Sequence, residues 1–458
     1  MIRYRYKRFP ETKKKQNKRN RERKCMKKKI IAVVMAAIMV AATMLVGCSN
    51  DKNSSTKEKK PIKILSIWAE DKDNGKLIMD ITERYIAEQD PDFTYEFELV
   101  SAQDLRQKIA TLLASNDLPD VFVYESGAPI KELIAADKLL DVGAALEDLG
   151  VRDLVDEGAV SLLTTLSGTE KLYDLPLGLN VEGFWYNKAL FEQAGIKEAP
   201  ETWADFEKAL EALDAAGIQP LVTAGADSWP ATRLVNAYTF RSLGAEAMKK
   251  ASLDEAKYTD AGYVAAAAKI QEFANKGYFG EGVTTVDSTT AGQMLMNGQA
   301  AIYYNGSWFT ENLTNPEANK AGEDGIGFFN VPVVDPAISS ITEYSMNCGN
   351  ILAFDKEKYN DNTAGWLKFF VENIGDEAMS QFGAVKGYKY TVEGDMNTYT
   401  QMVAEHLGKA TSSTTWYEAN MISEISTPAQ EGVQTLLNGD FTPEEYMQSI
   451  QDAHDMSK

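Results

Sequence analysis

The stretch "PIKILSIWAED", residues 61–71, constrains the fold more than any other part of the sequence. In an extended chain, Ile62 and Ile64 lie on one face, and Leu65 and Ile67 lie on the other. A strand that is apolar on both faces is typical of a sheet whose two surfaces are both covered. The stretch therefore predicts a buried strand in the interior of a sheet.

Helical and extended patterns alternate after this strand. Apolar residues recur at helical spacing from residue 77 and again from residue 105, whereas "TYEFELV" and "DVFVY" have the pattern of strands. Strands that alternate with helices predict an α/β lobe with a largely parallel sheet.

Helical segments dominate after "YDLPLG". Thr202 and Asp205 have capping-box spacing at the start of one helix, and Gly217 is suited to end it. A strand-like piece, "GIGFFNVPVV", leads to helical segments that reach the C-terminus. The second part of the chain is therefore expected to be richer in helix than the first.

The N-terminal region has the order basic, apolar, small residue, cysteine. Lys27, Lys28 and Lys29 precede residues 30–46, an uncharged stretch of 17 residues that ends at Gly47-Cys48. This order predicts a secretion signal. A retained membrane anchor is the weaker alternative, because a membrane-spanning helix needs roughly 20 residues.

Leu45-Val46-Gly47-Cys48 resembles the lipobox of bacterial lipoproteins. The resemblance implies that residues 1–47 are removed and that Cys48 is diacylated, so that its acyl chains hold the protein on the membrane. Met26 opens a complete signal by itself, and we expect it to be the true start. Residues 48–60 would form a lipidated, flexible tether, because the tract "NDKNSSTKEKK" contains no apolar residue.

Composition limits the possible partners. Cleavage before Cys48 leaves 32 basic and 65 acidic residues, a formal charge of −33, and such a surface repels nucleic acid and anionic membranes. Cys348 is then the remaining free thiol, so the sequence predicts no intramolecular disulfide and a fold stabilised by core burial. A mature chain of about 410 residues suits two lobes better than one.

The stretch "YDLPLGLNVEGFWYNKALFEQAGIKEAPETWADFEKAL" resembles the extracellular solute-binding proteins of sugar-importing ABC transporters, the group that includes maltose-binding protein. The residues that carry the resemblance are Pro176, Gly178, Tyr186-Asn187-Lys188, Leu190-Phe191, Ala194-Gly195-Ile196, Pro200 and Thr202-Trp203. The segments "LPDVFVYESG", "AADKLLDVGAAL", "NGQAAIYYNGSWF" and "VPVV" stand in the family's usual order, and the match spans nearly all of residues 61–450.

The resemblance implies a two-lobed, periplasmic-binding-protein-like α/β fold of type II. The first lobe would hold residues 61–176 plus 333–372, and the second would hold 177–332 plus 373–458. The ligand would lie in the cleft between the lobes, which close about hinge crossovers. A membrane permease would then recognise the closed form of a protein that is expected to be a monomer.

A binder of sugars needs flat aromatic surfaces for C–H faces and fixed hydrogen-bonding groups for hydroxyls. Both occur at the ends of two predicted strands, where open α/β sheets bind ligands. Trp68 is followed by Glu70 and Asp71, and Tyr124 is followed by Glu125. Core packing of Trp68 is an equally good alternative.

Further ligand-binding candidates lie where the resemblance places the cleft or where an aromatic residue has a polar, turn-forming context. They are Asn180, Glu182, Trp185, Trp229, Tyr304, Asn305, Trp308, Asn350 and Trp416. Trp185 also suits an inward-facing position on a strand. The stretch "YYNGSWF" is the richest of these, and its alternative interpretation is a turn beneath a small aromatic core.

Other functions fit the sequence less well than sugar capture. A secreted glycosidase needs two carboxylates at a defined separation, which a sequence does not provide. His406 and His454 lack the spacing of a metal protease and have no nucleophile motif beside them, so no catalytic residue, metal or cofactor is predicted. A peptide or a polyamine stays open as the ligand, although the aromatic clusters alternate with Asn and Ser as much as with acids.

Overall fold

The computed structural model of the chain describes residues 60–392 and 396–458. The predicted signal, Cys48 and residues 49–59 of the tether lie outside the described residues. Two sheets, each surrounded by helices and each with its own core, form two α/β lobes, which confirms the predicted fold class. None of the helices within these ranges is both long and apolar enough to cross a bilayer.

The strands and helices are numbered in chain order. The strands are β1 (Ile62–Ser66), β2 (Tyr95–Leu99), β3 (Val121–Glu125), β4 (Asp174–Pro176), β5 (Asn180–Asn187), β6 (Leu221–Val222), β7 (Ile302–Gly306), β8 (Ile326–Phe329), β9 (Glu343–Asn347), β10 (Asn350–Phe354) and β11 (Ser412–Thr414). The helices are α1 (Asp73–Glu88), α2 (Leu105–Ala114), α3 (Ala128–Ala135), α4 (Val142–Leu149), α5 (Glu157–Ser167), α6 (Lys188–Gln193), α7 (Trp203–Ala215), α8 (Trp229–Leu243), α9 (Ala247–Ser252), α10 (Ala261–Asn275), α11 (Ser288–Met296), α12 (Thr310–Leu313), α13 (Asp361–Phe382), α14 (Thr398–Lys409), α15 (Ser423–Leu437) and α16 (Pro443–Met456).

The sheet of the first lobe has the strand order β2-β1-β3-β10-β4. Strand β1 pairs in parallel on both sides, with β2 and with β3, and Ile64 and Leu65 are buried on its two faces, as its sequence predicted. Strand β10 is antiparallel to both of its neighbours, so the sheet is mixed. Helices α1 and α13 are joined by a hydrogen bond from Trp366 Nε1 to Thr82 Oγ1 (3.0 Å).

The sheet of the second lobe has the order β11-β9-β5-β7-β6. Strands β8 and β9 both pair with the same side of β5, at different positions along it. Strand β5 is antiparallel to β7, β8 and β9 and is buried along almost its whole length. Helix α7 begins as predicted, because the side chain of Thr202 accepts a hydrogen bond from Asp205 N (3.2 Å). Long helices α8, α10, α15 and α16 surround the larger core of this lobe.

Within the part of the chain that the structure describes, three segments pass between the two sheets. The first crossing lies at residues 177–179 between β4 and β5, the second at Cys348-Gly349 between β9 and β10, and the third follows α13. Gly349 has φ +68°, which lets the chain turn between two sheets within two residues. The first and third crossings are joined by a hydrogen bond from Leu179 N to Val385 O (3.4 Å).

The sheets assign two segments differently from the predicted lobe boundaries. Residues 333–347 were assigned to the first lobe, but Val333 pairs with Thr202 of the second lobe, and residues 343–347 form β9, which pairs with β5 in the second sheet. Residues 373–388 were assigned to the second lobe, but residues 373–382 complete α13, and Ile374, Ala378 and Tyr388 lie in the core of the first lobe. These assignments depend on strand pairing and helix packing across long stretches of chain, which local patterns do not record.

Several buried polar side chains lie next to the crossings, and three of them interact electrostatically with one another. These three are Asp174 on β4, Cys348 in the second crossing and Tyr388 in the third. Asp174 is 1% exposed, and neither of its carboxylate oxygens has a hydrogen-bond partner among the described residues. Burial raises the pKa of Asp174 to about 7. Burial, followed by the charge of Asp174, also raises the pKa of the Cys348 thiol.

We expect Asp174→Asn to stabilise the protein at alkaline pH. Because the pKa of Asp174 is higher in the folded protein than in the unfolded chain, the stability of the wild type falls as the pH rises from about 4 to about 7. The substitution removes this penalty. The free energy of unfolding, measured by urea denaturation, should rise by about 2–4 kcal/mol at about pH 8.5, and the gain should shrink toward pH 4.

Asp205→Asn is the matched control for this prediction. Hydrogen bonds from Lys208 and Thr202 hold the pKa of Asp205 below its ordinary value, so the same substitution there should bring no gain at pH 8.5. An equal gain in both variants, or a gain at Asp174 that does not change with pH, would contradict the assignment.

Candidate functional site

Two tryptophans from distant parts of the chain, Trp229 and Trp308, meet on one side of the second lobe, and Arg233 joins Trp416 to Trp229. The ring centroids of Trp229 and Trp308 are 6.0 Å apart, with an angle of 56° between the ring planes. Both side chains are partly exposed, whereas Trp416 is 6% exposed. The structure therefore brings together three residues that the sequence analysis named separately as ligand contacts.

Trp308 owes its position to the glycine two residues before it. The indole ring lies against the backbone of Gly306, at the end of β7, so closely that any Cβ there would collide with ring atoms. This close approach explains why the sequence "NGSW" has a glycine at that point. The ring is therefore held flat against the end of a buried strand.

Trp229 is the first residue of α8 and is fixed by the turn before it. Ser228 has φ +63°, a backbone conformation that residues other than glycine rarely adopt. Gln434 on α15 donates hydrogen bonds to Ser228 Oγ (2.9 Å) and to Gly225 O (2.9 Å), which hold this turn in place. Unusual backbone geometry that the surroundings stabilise is common at functional sites.

Arg233 lies between Trp229 and Trp416. Its guanidinium carbon is 5.4 Å from the ring centroid of Trp229 and 5.6 Å from that of Trp416. Nη1 donates to Glu182 Oε1 (2.6 Å), and Nε lies 3.4 Å from Glu418 Oε2. Burial lowers the pKa of Arg233, but the charges of Glu182 and Glu418 outweigh this effect and hold the pKa above its ordinary value.

A hydrogen-bond network extends from Glu182 to the crossings. Glu182 is fully buried and accepts from Asn347 Nδ2 (2.7 Å) and from Tyr304 OH (3.2 Å). Asn347 Oδ1 in turn accepts from Asn180 Nδ2 (3.2 Å), and Asn180 Oδ1 accepts from Ser307 Oγ (3.0 Å). Because Asn180 and Asn347 adjoin the first and second crossings, this network joins the tryptophans to the hinge.

The first lobe contributes an ion pair at the carboxyl end of β3. Arg106 Nε and Nη2 donate to the two carboxylate oxygens of Glu125 at 2.9 and 2.6 Å. Burial raises the pKa of Glu125, but Arg106, with a smaller contribution from Arg233, holds it below its ordinary value. Asn350 lies directly opposite Glu125 in the antiparallel pair of β3 and β10.

The two lobes touch beside this ion pair. Ala128 N donates to Ala419 O (2.7 Å), and Arg106 Nη1 donates to Ser426 Oγ. Gly127 has φ +84°, and a Cβ there would collide with Ala419 O. Trp416 and Ala419 also form a small apolar cluster with side chains of α5. The residues 416–426 are therefore in direct contact with the first lobe.

The two lobes also come close to each other near Trp308. A cavity of about 30 Å³ is lined by Trp308, Asn180 and Lys386 among others. Lys386 forms an ion pair with Glu311 (2.8 Å). Partial desolvation and the charge of Glu311 raise the pKa of Asp73, at the start of α1 in the first lobe, so Asp73 is close to this ion pair.

The remaining candidates from the sequence analysis lie in several places. Trp68 is half-buried against the core of the first lobe, and Glu70 and Asp71 are exposed. The side chain of Asn305 is buried and accepts a hydrogen bond from Gly306 N (2.9 Å).

The four most deeply buried candidates are engaged inside the protein, and we do not propose them as ligand contacts. Trp185 is fully buried and donates from Nε1 to Gly306 O (3.3 Å), which agrees with its alternative interpretation as an inward-facing residue. Tyr124 belongs to the core of the first lobe. Glu182 and Tyr304 are buried and bind each other, so Glu182 supports Arg233 instead of facing the cleft.

No role at the site was predicted from the sequence for Arg106, Arg233 or Glu418. The spacing of Trp229 and Arg233 was an available signal, because residues four apart lie on the same face of a helix. The partners of Arg106 and Glu418 follow only from the tertiary fold.

A larger cavity of about 680 Å³ lies elsewhere on the second lobe. Val333, Ile338, Glu343 and Ser412 are among its lining residues. Glu343 begins β9, whereas Asn347 of the site network ends it, so this cavity is at the other end of that strand. Across residues 60–392 and 396–458, no group of three or more His, Cys, Asp or Glu side chains is arranged to hold a metal ion.

Comparison with known proteins identifies similar proteins over most of the chain. Residues 69–377 match the model of the bacterial extracellular solute-binding protein family. The multiple sugar-binding protein of Streptococcus mutans is 29% identical over 193 residues, which cover 41% of each chain. The xylose/arabinose-binding protein of Haloferax volcanii is 26% identical over 291 residues, which cover 62% of this chain and 60% of that protein. For the first curated relatives, the match spans about half of their length or less.

Solved structures have the same architecture. A chitin oligosaccharide binding protein superposes with a TM-score of 0.78 and 25% identity, covering 87% of this chain and 99% of that one. A solute-binding protein in complex with raffinose superposes with a TM-score of 0.69 and 17% identity, which supports the fold alone, and covers 87% of this chain and 99% of that one. Since the family model matches more than half of the chain, the chain belongs to the bacterial extracellular solute-binding protein family.

Proposed function

We propose that this protein captures a sugar or oligosaccharide between its two lobes and delivers it to the permease of an ABC importer. The observation that carries the proposal is the meeting of Trp229 and Trp308, with Arg233 joining Trp416 to Trp229, beside fixed polar groups. Aromatic planes suit the C–H faces of a sugar ring, and fixed donors and acceptors suit its hydroxyls. Names of relatives support this ligand class, since several of them are sugar-binding proteins.

The charges at the site favour an uncharged ligand over a polyamine. Glu182 and Glu418 are ion-paired with Arg233, and Glu125 is ion-paired with Arg106. A polycation would have to separate one of these pairs, and breaking a buried pair is strongly unfavourable. For the same reason these carboxylates do not suit the acid and base roles of a glycosidase, and we propose that the protein binds its ligand without chemical conversion.

Capture would proceed by hinge closure. A ligand that contacts the tryptophans of the second lobe and the Arg106–Glu125 pair of the first is fully bound only when the lobes are together. The contact of Ala128 with Ala419 lies beside this region, so the two lobes touch next to the place where the ligand would join them. We propose that a permease recognises this closed form of the monomer.

We further propose that the protein is anchored by lipid on the outer face of the cell membrane. Support comes from the sequence "LVGC" at residues 45–48, which follows a basic and apolar segment and precedes a polar tract. The acyl chains would hold Cys48, and residues 49–60 would space the lobes from the bilayer.

The proposed function is tested by a thermal-shift panel on the purified mature chain. The panel contains raffinose, stachyose, a chitin oligosaccharide, xylose and spermidine. At about 100 times its Kd, a ligand that binds only the folded state adds about 2.7 kcal/mol of stability, which should raise the melting temperature of a chain of this length by roughly 3 °C. At least one sugar should do so. A shift with spermidine alone, or conversion of a sugar in the same tubes, would contradict the proposal.

Trp308→Ala should weaken the binding of that sugar without unfolding the protein. Loss of the stacking plane removes about 0.5–1.5 kcal/mol beyond the lost burial, which amounts to roughly tenfold in Kd. Tyr359→Ala is the matched control, because this half-buried tyrosine follows the Phe354 end of β10, whereas Asn350 and the cleft are at the other end of that strand. Isothermal titration calorimetry that gives the same Kd for Trp308→Ala and the wild type would contradict the role of Trp308.

Cys48→Ser should abolish lipidation and membrane attachment. The wild-type protein should fractionate with membranes and incorporate a labelled fatty acid, because its cysteine thiol accepts the diacylglyceryl group. The serine variant has no such thiol and should incorporate no label. Equal labelling of Cys48→Ser and the wild type would contradict the anchor, whereas a Cys25→Ser control should be labelled normally.

A further inference from the structure

We propose that Arg233 is a positioning residue that holds the indole rings of Trp229 and Trp416 in place at the ligand site. This inference rests on the proposed function, because it assigns a role within the same site. The guanidinium group lies between the two indole rings, at 5.4 and 5.6 Å from their centroids. A planar cation can contact the face of each ring, and such contacts become stronger when water is excluded.

The orientation of Arg233 is fixed by the carboxylates of Glu182 and Glu418, which are themselves held in place by other hydrogen bonds. Glu182 is fully buried on β5 and also accepts hydrogen bonds from Asn347 and Tyr304, so its position is determined by the sheet. Glu418 is 1% exposed and accepts a hydrogen bond from Thr232 on α8. Arg233 therefore holds the two indole rings in a fixed position relative to the second sheet and to α8.

The same contacts join the tryptophans to the surface where the lobes meet. Trp416 and Glu418 belong to the segment whose Ala419 carbonyl accepts from Ala128 of the first lobe. Trp416 also packs against Leu162 and Leu166 of α5. A shift of Arg233 would move an aromatic ring of the ligand site and would also disturb a contact between the lobes. Substitution of Arg233 should therefore weaken ligand binding more than the small exposed area of its side chain suggests.

Arg233→Lys tests this role while keeping the charge between Glu182 and Glu418. An ammonium group can neutralise the carboxylates but cannot lie flat between two indole rings. We expect an almost unchanged melting temperature, a changed near-ultraviolet circular dichroism signal from the tryptophans in the ligand-free protein, and about tenfold weaker binding of the sugar identified in the panel. Arg233→Met, which also loses the charge, should weaken binding at least as much.

Arg84→Lys is the matched control. Arg84 in the first lobe also lies over an aromatic ring, with its guanidinium carbon 5.7 Å from the centroid of Phe369, and it pairs with Glu88 and Glu377. It has no contact with the tryptophan site, so this variant should keep both the wild-type Kd and the tryptophan signal. Unchanged spectra and an unchanged Kd in Arg233→Lys would overturn the proposal.

A double-mutant cycle distinguishes positioning from direct contact with the sugar. If Arg233 acts through Trp229, the loss of affinity in Arg233→Lys combined with Trp229→Leu should be clearly smaller than the sum of the single losses. Additive losses would overturn the positioning role. If no sugar binds the wild type, the proposed function fails, and the near-ultraviolet spectra of the ligand-free variants still decide whether Arg233 orders the rings.

Discussion

The buried ion pairs of Arg233 with Glu182 and Glu418 are the interaction on which the site depends. Removing three charged groups from water is costly, and only close pairing with additional hydrogen bonds offsets that cost. The structure meets this requirement through Asn347, Tyr304 and Thr232, which bind the carboxylates from separate elements. The result is a rigid polar base beneath aromatic rings that stay partly exposed, which is the combination that carbohydrate binding needs.

The same network relates the site to the hinge. Asn180 follows the first crossing and Asn347 precedes the second, and both are joined to Glu182 through hydrogen bonds. The opposite end of the site reaches the first lobe through Ala419. The crossings between the lobes and the arrangement of the tryptophans are therefore connected through continuous contacts, and the buried carboxylate of Asp174 lies beside the first crossing.

Local sequence patterns predicted the elements well because the causes are local. The two-sided apolar pattern of β1 placed it in the interior of its sheet, and Thr202 caps α7 as its spacing indicated. The family resemblance supplied the two-lobed fold. Aromatic residues in polar turns were a useful signal too, since Trp229 and Trp308 do meet.

Pairing across long stretches of chain was not predictable in this way. Glu182 and Trp185 alternate on the same buried strand, and only the packing on both sides of β5 decides that neither faces the cleft. The residues of β9 were predicted to belong to the first lobe, although they pair in the second sheet. The crossing that follows β9 is only two residues long and has no distinctive composition. Arg233 escaped notice because its partners Glu182 and Glu418 lie 51 residues before it and 185 residues after it in the sequence.

Hydrogen exchange with and without the sugar identified by thermal shift tests the central claim most directly, because the second lobe also has a cavity of about 680 Å³ at the other end of β9. If the sugar lies on the tryptophans between the lobes, backbone amides of residues 228–233, 306–310 and 416–419 should exchange more slowly when it is bound. Slower exchange confined to residues 333–343, around the distant cavity, would contradict the account.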